Sequence, residues 1–446
     1  MATPFPDRLA SSFQGVRWVV GALFFLIGTG LASGVGAADL DASPIRYAVA
    51  ADSNPVSRLR DAVVAGKLQL AFDADKGYLP AVLKALDVPV SSQMLVFSKT
   101  SLQRQRIAPA TPRALYFNDE VYVGYCQSGD VMEFSVADPG LGTVFYTLEQ
   151  QGDGPARFIR QTESCLICHG SSATQGFPGH LARSVYPDTE GHPIFSLGTS
   201  RVEHSTPLSR RWGGWYVTGG NPGREHLGNM ILPKTTRFQP AKNPHGTTCD
   251  DLSPFMETKE YLSPHSDLVA LLVFEHQAEV HNRLTRTALE TRIALYQQEE
   301  YDRILSRHGE GLFEGTARRI DSACESLVEY LFFCGESPLG GKVRGTSAFT
   351  TEFPARGPRD TRGRSLRDFD LTERMFKHQL SYMVLSKSFE DLPRMAHAIA
   401  CAKIIKILAE GPTDPKYAHL TAEKRALARE ILAGSSPVWQ ARLAGK

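Results

Sequence analysis

Cys165-Leu166-Ile167-Cys168-His169 is the segment whose residue types and spacing could do specific chemistry. Two thiols three positions apart in one helical turn share a face. They could add to two vinyl groups on one edge of a porphyrin, and the next residue, His169, could then reach the iron. The pattern is the C-x-x-C-H signature of covalent haem c attachment. With 7 Cys and 13 His in 446 residues, chance supplies roughly 0.003 such matches. Two other readings use part of the pattern. A thioredoxin-like C-x-x-C wants a βαβ setting and needs no following His. A zinc site needs a second ligand pair, and no second C-x-x-C exists in the chain.

A haem iron held by His169 leaves a sixth position that decides function. A Met or His there makes an electron carrier, and an open position makes an enzyme or a sensor. The candidates after His169 are His180, His192, His204, His226, Met230, His245, Met256 and His265. His226 is the first choice and Met230 the second, because both follow a Trp-rich strand whose turn could present them. Haem propionates want cationic or hydrogen-bonding neighbours. Arg210, Arg211, Trp212 and Trp215 are the expected suppliers, Arg211 and Trp212 foremost. Phe177-Pro178-Gly179 is expected to turn the chain across the haem edge.

The elements that must position these groups begin after an address. Residues 1–17 carry Arg8 and Arg17 against Asp7, an apolar run spans Trp18 to Ala32, and small residues follow to Ala38. This is the layout of a secretory signal peptide over 1–38. It predicts export and a periplasmic location, where covalent haem is attached. The absence of a twin-arginine pair predicts export of an unfolded chain. The competing reading is an uncleaved anchor, which needs about 20 apolar residues. Removing 1–38 leaves equal numbers of basic and acidic residues, and no later stretch is long and apolar enough to span a membrane, so a soluble mature chain is expected. Hydrophobic residues make up 42% and charged residues 22%, as in a globular protein with a real core. A net charge of +1 provides no field to attract nucleic acid.

Short Tyr-, Phe- and Val-rich runs at 114–117, 121–125, 131–136 and 143–148 alternate with turn residues, which predicts antiparallel strands. A helix is expected from Pro80 to Ala85 and another strand at Trp215–Thr218. Ser263-Pro264 reads as an N-cap followed by proline at the first helical position. A long helix should follow, with further helices near 315–333, 371–386, 393–410 and 421–432, and a surface loop over 335–365. The fold class expected is α+β: a β-rich region over 39–262 carrying the haem segment, then an α-helical region over 263–446.

Weaker signals have plainer readings. His276 and His281 lie roughly 140° apart on their helix, so they do not form an i, i+4 ligand pair. Cys126, Cys249, Cys324, Cys334 and Cys401 remain besides the motif, and in an oxidising compartment some could pair. On one unbroken helix Cys324 and Cys334 would sit about 15 Å apart, too far for a bridge. No G-x-S-x-G, P-loop or G-x-G-x-x-G is present, so hydrolase, NTPase and dinucleotide-oxidoreductase readings lose their usual support.

Through Cys165, Cys168, His169 and Gly170 the haem segment resembles the c-type cytochromes. The runs 211–219 (RWGGWYVTG) and 366–371 (LRDFDL) are similar to those of large secreted bacterial proteins with one haem c site. That resemblance implies a shared fold without a settled activity. No Met-Pro pair is present, a departure from small cytochromes. The leading expectation is a periplasmic electron carrier with one haem c and a protein redox partner, not an enzyme. The rivals are a peroxidase-like haem oxidoreductase with an open distal site and a haem-based redox or gas sensor.

Overall fold

Alternating aromatic and β-branched residues between tight turns form the strands expected over 113–149. The structure, a computed structural model, describes residues 40–240 and 242–445. Residues 1–38, which the sequence analysis expects to be a signal peptide, lie outside the described residues. The sheet comprises β1 (Met94–Val96), β2 (Arg113–Phe117), β3 (Val121–Tyr125), β4 (Val131–Asp138), β5 (Gly142–Glu149) and β6 (Phe158–Gln161). Two short strands, β7 (Arg183–Val185) and β8 (Thr199–Arg201), form a separate ribbon. The strand expected at Trp215–Thr218 is the two-residue β9 (Trp215–Tyr216), which closes the sheet against β1. The order is β6-β5-β4-β3-β2-β1-β9, antiparallel throughout.

Period-two patterning assigns the faces. On β4, Met132, Phe134 and Val136 are buried, whereas Val131, Glu133 and Ser135 are half-buried. The buried set packs with helices α1 (Pro55–Val64) and α2 (Leu79–Ala85). The other face carries a one-turn helix, α3 (Leu166–His169), and a long helix, α4 (Leu268–Ile304). Met94, Leu115, Phe117 and Tyr122 share a core there with Leu268–Phe274. The core continues into α5 (Glu314–Leu331), α6 (Phe349–Ala355), α7 (Lys387–Glu390), α8 (Arg394–Glu410), α9 (Ala422–Ser435) and α10 (Pro437–Leu443). The β-rich and α-rich regions meeting near residue 262 are thus halves of one compact unit. Among the described residues no helix is long and apolar enough to cross a membrane.

Three local expectations are corrected. The cap of α4 is Asp267 rather than Ser263. The Ser263 and His265 carbonyls accept from Gln93 Nε2 at 2.6 and 2.8 Å, which holds that segment extended along the sheet. Asp267 Oδ1 accepts from Val269 and Ala270 N–H, and Oδ2 from Thr346 and Ser347 N–H. Residues 371–386 are not an α-helix. The Asp370 carboxylate takes the Thr372 and Glu373 N–H groups and Leu371 adopts φ 57°, so the helical ladder never starts. The loop over 335–365 contains α6, anchored by a stacked Phe349–Phe353 pair four residues apart.

Candidate functional site

Cys165 has helical dihedrals and directly precedes α3, so Cys165, Cys168 and His169 occupy one turn. Both thiols are free, Cys165 half-buried and Cys168 exposed. Burial pushes the Cys165 thiol up to about 11. That is opposite to the lowered pKa of a reactive thioredoxin-type cysteine, and the antiparallel surroundings lack a βαβ unit. Among the described residues no three His, Cys, Asp or Glu side chains, the motif's own included, group to hold a metal ion.

His169 is fixed from both sides. Its Nδ1 donates to the Gly179 carbonyl at 2.8 Å, because a carbonyl can only accept. The Gly179 N–H returns a bond to the His169 carbonyl at 2.8 Å. The Phe145 ring lies 4.8 Å from the imidazole. Burial lowers the imidazole pKa, the Gly179 bond opposing it, so a neutral ring with hydrogen on Nδ1 is favoured. Nε2 has no hydrogen-bond partner among the described residues. This is the tautomer a metal-ligating histidine adopts when a backbone carbonyl holds its other nitrogen.

Behind Gly179, His180 is buried with Nδ1 2.7 Å from Ser135 Oγ and Nε2 3.5 Å from Thr143 Oγ1. Asn282 on α4 clamps the His180 peptide, accepting its N–H at 2.7 Å and donating to its carbonyl at 3.0 Å. The motif also senses an ion pair, Arg113 Nη1 to Glu133 Oε2 at 2.5 Å. Both act on His169 and Cys165. Arg113 Nε is buried without a partner.

The other expected site residues lie elsewhere. His226 is buried edge-on against Trp212, with ring centroids 4.9 Å apart, and its Nδ1 accepts from Gly228 N–H at 3.1 Å. Burial lowers its pKa to about 3. Met230 is buried next to it, and Asn229 between them bonds to the Trp215 carbonyl on β9. His169 stands over β5, and β5 and β9 are separated by five strand spacings, about 24 Å at 4.8 Å each. The structure therefore does not bring His226 or Met230 to His169. Arg211 and Trp212 are likewise spent on other partners. Arg211 donates to Glu275 Oε2 at 2.9 Å and to the Thr206 and His204 carbonyls, and Trp212 Nε1 donates to Glu275 Oε1. Arg210 bonds Ser200, and the Trp215 indole donates to the Arg183 carbonyl.

His276 is buried, its Nδ1 3.0 Å from His204 Nδ1 and its Nε2 2.7 Å from Ser381 Oγ. All seven cysteines are free. Sequence reasoning missed Phe145, Arg113, Glu133 and Asn282, and named His180 only among the candidate sixth ligands. They reach the motif through strand pairing and helix docking, for which no local pattern exists. The Gly179 turn was the one legible signal.

No family model, curated protein or solved structure matches the chain.

Proposed function

We propose that this chain is an exported protein that binds one haem c and passes single electrons to a periplasmic protein partner. The observation that carries this reading is the His169 imidazole, tethered through Nδ1 with Nε2 unspent, one turn from two unpaired thiols. Cys165 and Cys168 would hold the group as thioethers, His169 would ligate its iron, and Arg113 would offer its unspent Nε–H to a propionate. When bound, haem c supplies a one-electron iron couple whose potential follows from ligand, burial and nearby charge. Phe145 keeps water from one side of the imidazole. Ile167, 78% exposed beside the exposed Cys168, gives a partner an apolar edge at the motif. Replacing both cysteines (Cys165→Ala, Cys168→Ala) should abolish haem that survives a denaturing gel. Haem staining that persists in the double variant overturns the reading.

A second reading, an open distal site serving a haem oxidoreductase or a gas sensor, is favoured by two observations. The expected sixth ligands His226 and Met230 sit about five strand spacings away, and both ring nitrogens of His180 face hydroxyl partners. Spectra of the reduced protein with and without carbon monoxide separate the two. Sharp bands indifferent to the gas support the carrier. A shifted Soret band supports the open site.

A further inference from the structure

Five elements converge on a cavity of about 180 Å³ that the haem motif does not use. Its walls come from α1, the turns before β3 and after β4, the middle of α4, and α7. The volume equals about six waters at 30 Å³ each, the size of a small organic molecule. Pro55, Pro139, Leu284, Ala288 and Leu392 make part of the wall apolar.

The polar groups of this cavity are sorted by whether their valences are spent. Asp138 is saturated: its carboxylate accepts from Ser53 N–H, Asn54 Nδ2, Gly140 N–H and Leu141 N–H at 2.7–3.1 Å. Lys387 is paired with Asp391. Glu120 and Arg58 are different. Neither the half-buried Glu120 carboxylate nor the Arg58 guanidinium has a hydrogen bond or ion pair among the described residues. Burial raises the Glu120 carboxyl, opposed by the nearby charge of Arg58, so the two sense each other without touching.

His281, 1% exposed, forms part of the same wall. Its hydrogen placement follows from its neighbours. Tyr382 O–H donates to Gln277 Oε1, so Gln277 Nε2 gives its two hydrogens to the Asn118 carbonyl and the Tyr122 oxygen. Tyr122 then donates to His281 Nδ1 at 2.9 Å. The remaining hydrogen lies on His281 Nε2, which is buried with no partner.

We propose that this cavity binds a small zwitterion of the free amino acid class, with its ammonium on Glu120, its carboxylate on Arg58 and an apolar side chain against Leu284, Ala288 and Leu392. One unspent anion and one unspent cation bordering the same space match a dipolar ligand of zero net charge. A simple anion would leave Glu120 uncompensated, and a simple cation would leave Arg58 so. A partly buried charged group without a partner is costly, which is what the zwitterion relieves at Glu120. The apolar part of the wall favours an apolar side chain. The inference stands apart from the haem reading, since none of these residues belongs to the C-x-x-C-H segment.

Titration calorimetry on the purified full chain tests it, with valine as probe and N-acetylvaline and valinamide as controls that each lack one charge. Valine should bind at least about tenfold more tightly than either control, a difference of about 1.4 kcal/mol. Glu120→Gln should remove the preference for valine over N-acetylvaline. Arg58→Gln should remove the preference over valinamide. Both side chains have unspent valences, so both variants should unfold with the parent. Equal affinity for the three probes overturns the proposal, as does an absence of heat with valine. Binding by the wild-type chain decides the matter even if a variant folds poorly.

Discussion

His169 and Gly179 hold each other through a reciprocal pair of hydrogen bonds, Nδ1–H to carbonyl and N–H to carbonyl, both 2.8 Å. The pair closes the loop that follows the motif and sets the imidazole plane. A Cβ at Gly179 would stand 2.5 Å from Asn282 Oδ1 and 3.2 Å from Thr174 Cβ. Gly179→Ala therefore pushes the carbonyl off His169. Overpacking of this kind costs about 1–3 kcal/mol, and loss of an outer-shell partner weakens metal ligation about 10–100-fold. A lower urea midpoint and a growing high-spin absorption band are expected. An unaltered spectrum would show that the tether does not hold the ligand.

The Glu275 carboxylate is buried between Arg211 and Trp212. Glu275→Ala leaves the Arg211 guanidinium buried without its counter-charge, and such breakage costs about 3–5 kcal/mol. An apolar pair, Arg211→Met with Glu275→Leu, should recover most of that loss. Denaturant midpoints for Arg211→Met, Glu275→Leu and the pair measure the coupling. Because Arg211 and Trp212 are engaged here rather than at the motif, the proposed haem c should show the parent's spectrum and midpoint potential in Trp212→Phe. A shifted potential would return these residues to the haem.

His226 titrates differently folded and unfolded. Protonating its ring puts a hydrogen on the Nδ1 that accepts from Gly228 N–H, and burial lowers its pKa to about 3, against about 6.5 in an unfolded chain. Between those values the unfolded chain binds the extra proton. The stability that neutral His226 contributes is complete above about pH 6.5 and is lost as pH falls, by up to about 1.4 kcal/mol per pH unit. His226→Gln does not titrate. From about pH 7 to pH 5 the parent should lose about 2 kcal/mol relative to the variant, read from urea midpoints. Parallel pH profiles would refute the buried neutral imidazole.

Asp267 does more than cap α4. Each carboxylate oxygen accepts two N–H groups, one pair opening α4 and the other from Thr346 and Ser347. An N-cap replaced by Ala costs about 0.5–2 kcal/mol. Asp267→Ala should exceed the upper end of that range, because two further partly buried donors lose their acceptor. Asp267→Asn, which keeps one acceptor oxygen, should lose about half as much. Hydrogen exchange should rise at residues 346 and 347 as well as at 269 and 270. Exchange confined to the helix start would show that the second pair is incidental.

Residues close in sequence determine what is close in space over one turn or one hairpin. For that reason the spacing of Cys165, Cys168 and His169 was legible in the sequence, and the structure places all three in one turn. Period-two patterning between tight turns likewise marked the strands from Arg113 to Glu149. The fold class followed from the same local periodicities. Which distant residue meets His169 was not local. His226 and Met230 sit beside β9, and β9 pairs with β1 rather than lying near β5; strand order follows from the packing of the whole sheet, so no motif at Trp215 announces it. Residues 371–386 show the same limit in miniature, since an apolar run with helical spacing lost to two hydrogen bonds from Asp370. The sequence alone determined the motif, the strands and the helical second half. Only the tertiary structure decided that Gly179 and Phe145 accompany His169, that Arg211 and Trp212 are spent on Glu275, and that Glu120 and Arg58 share a cavity. Those relationships join residues 10 to 64 positions apart, chosen by burial and unspent hydrogen-bond valences rather than by spacing along the chain.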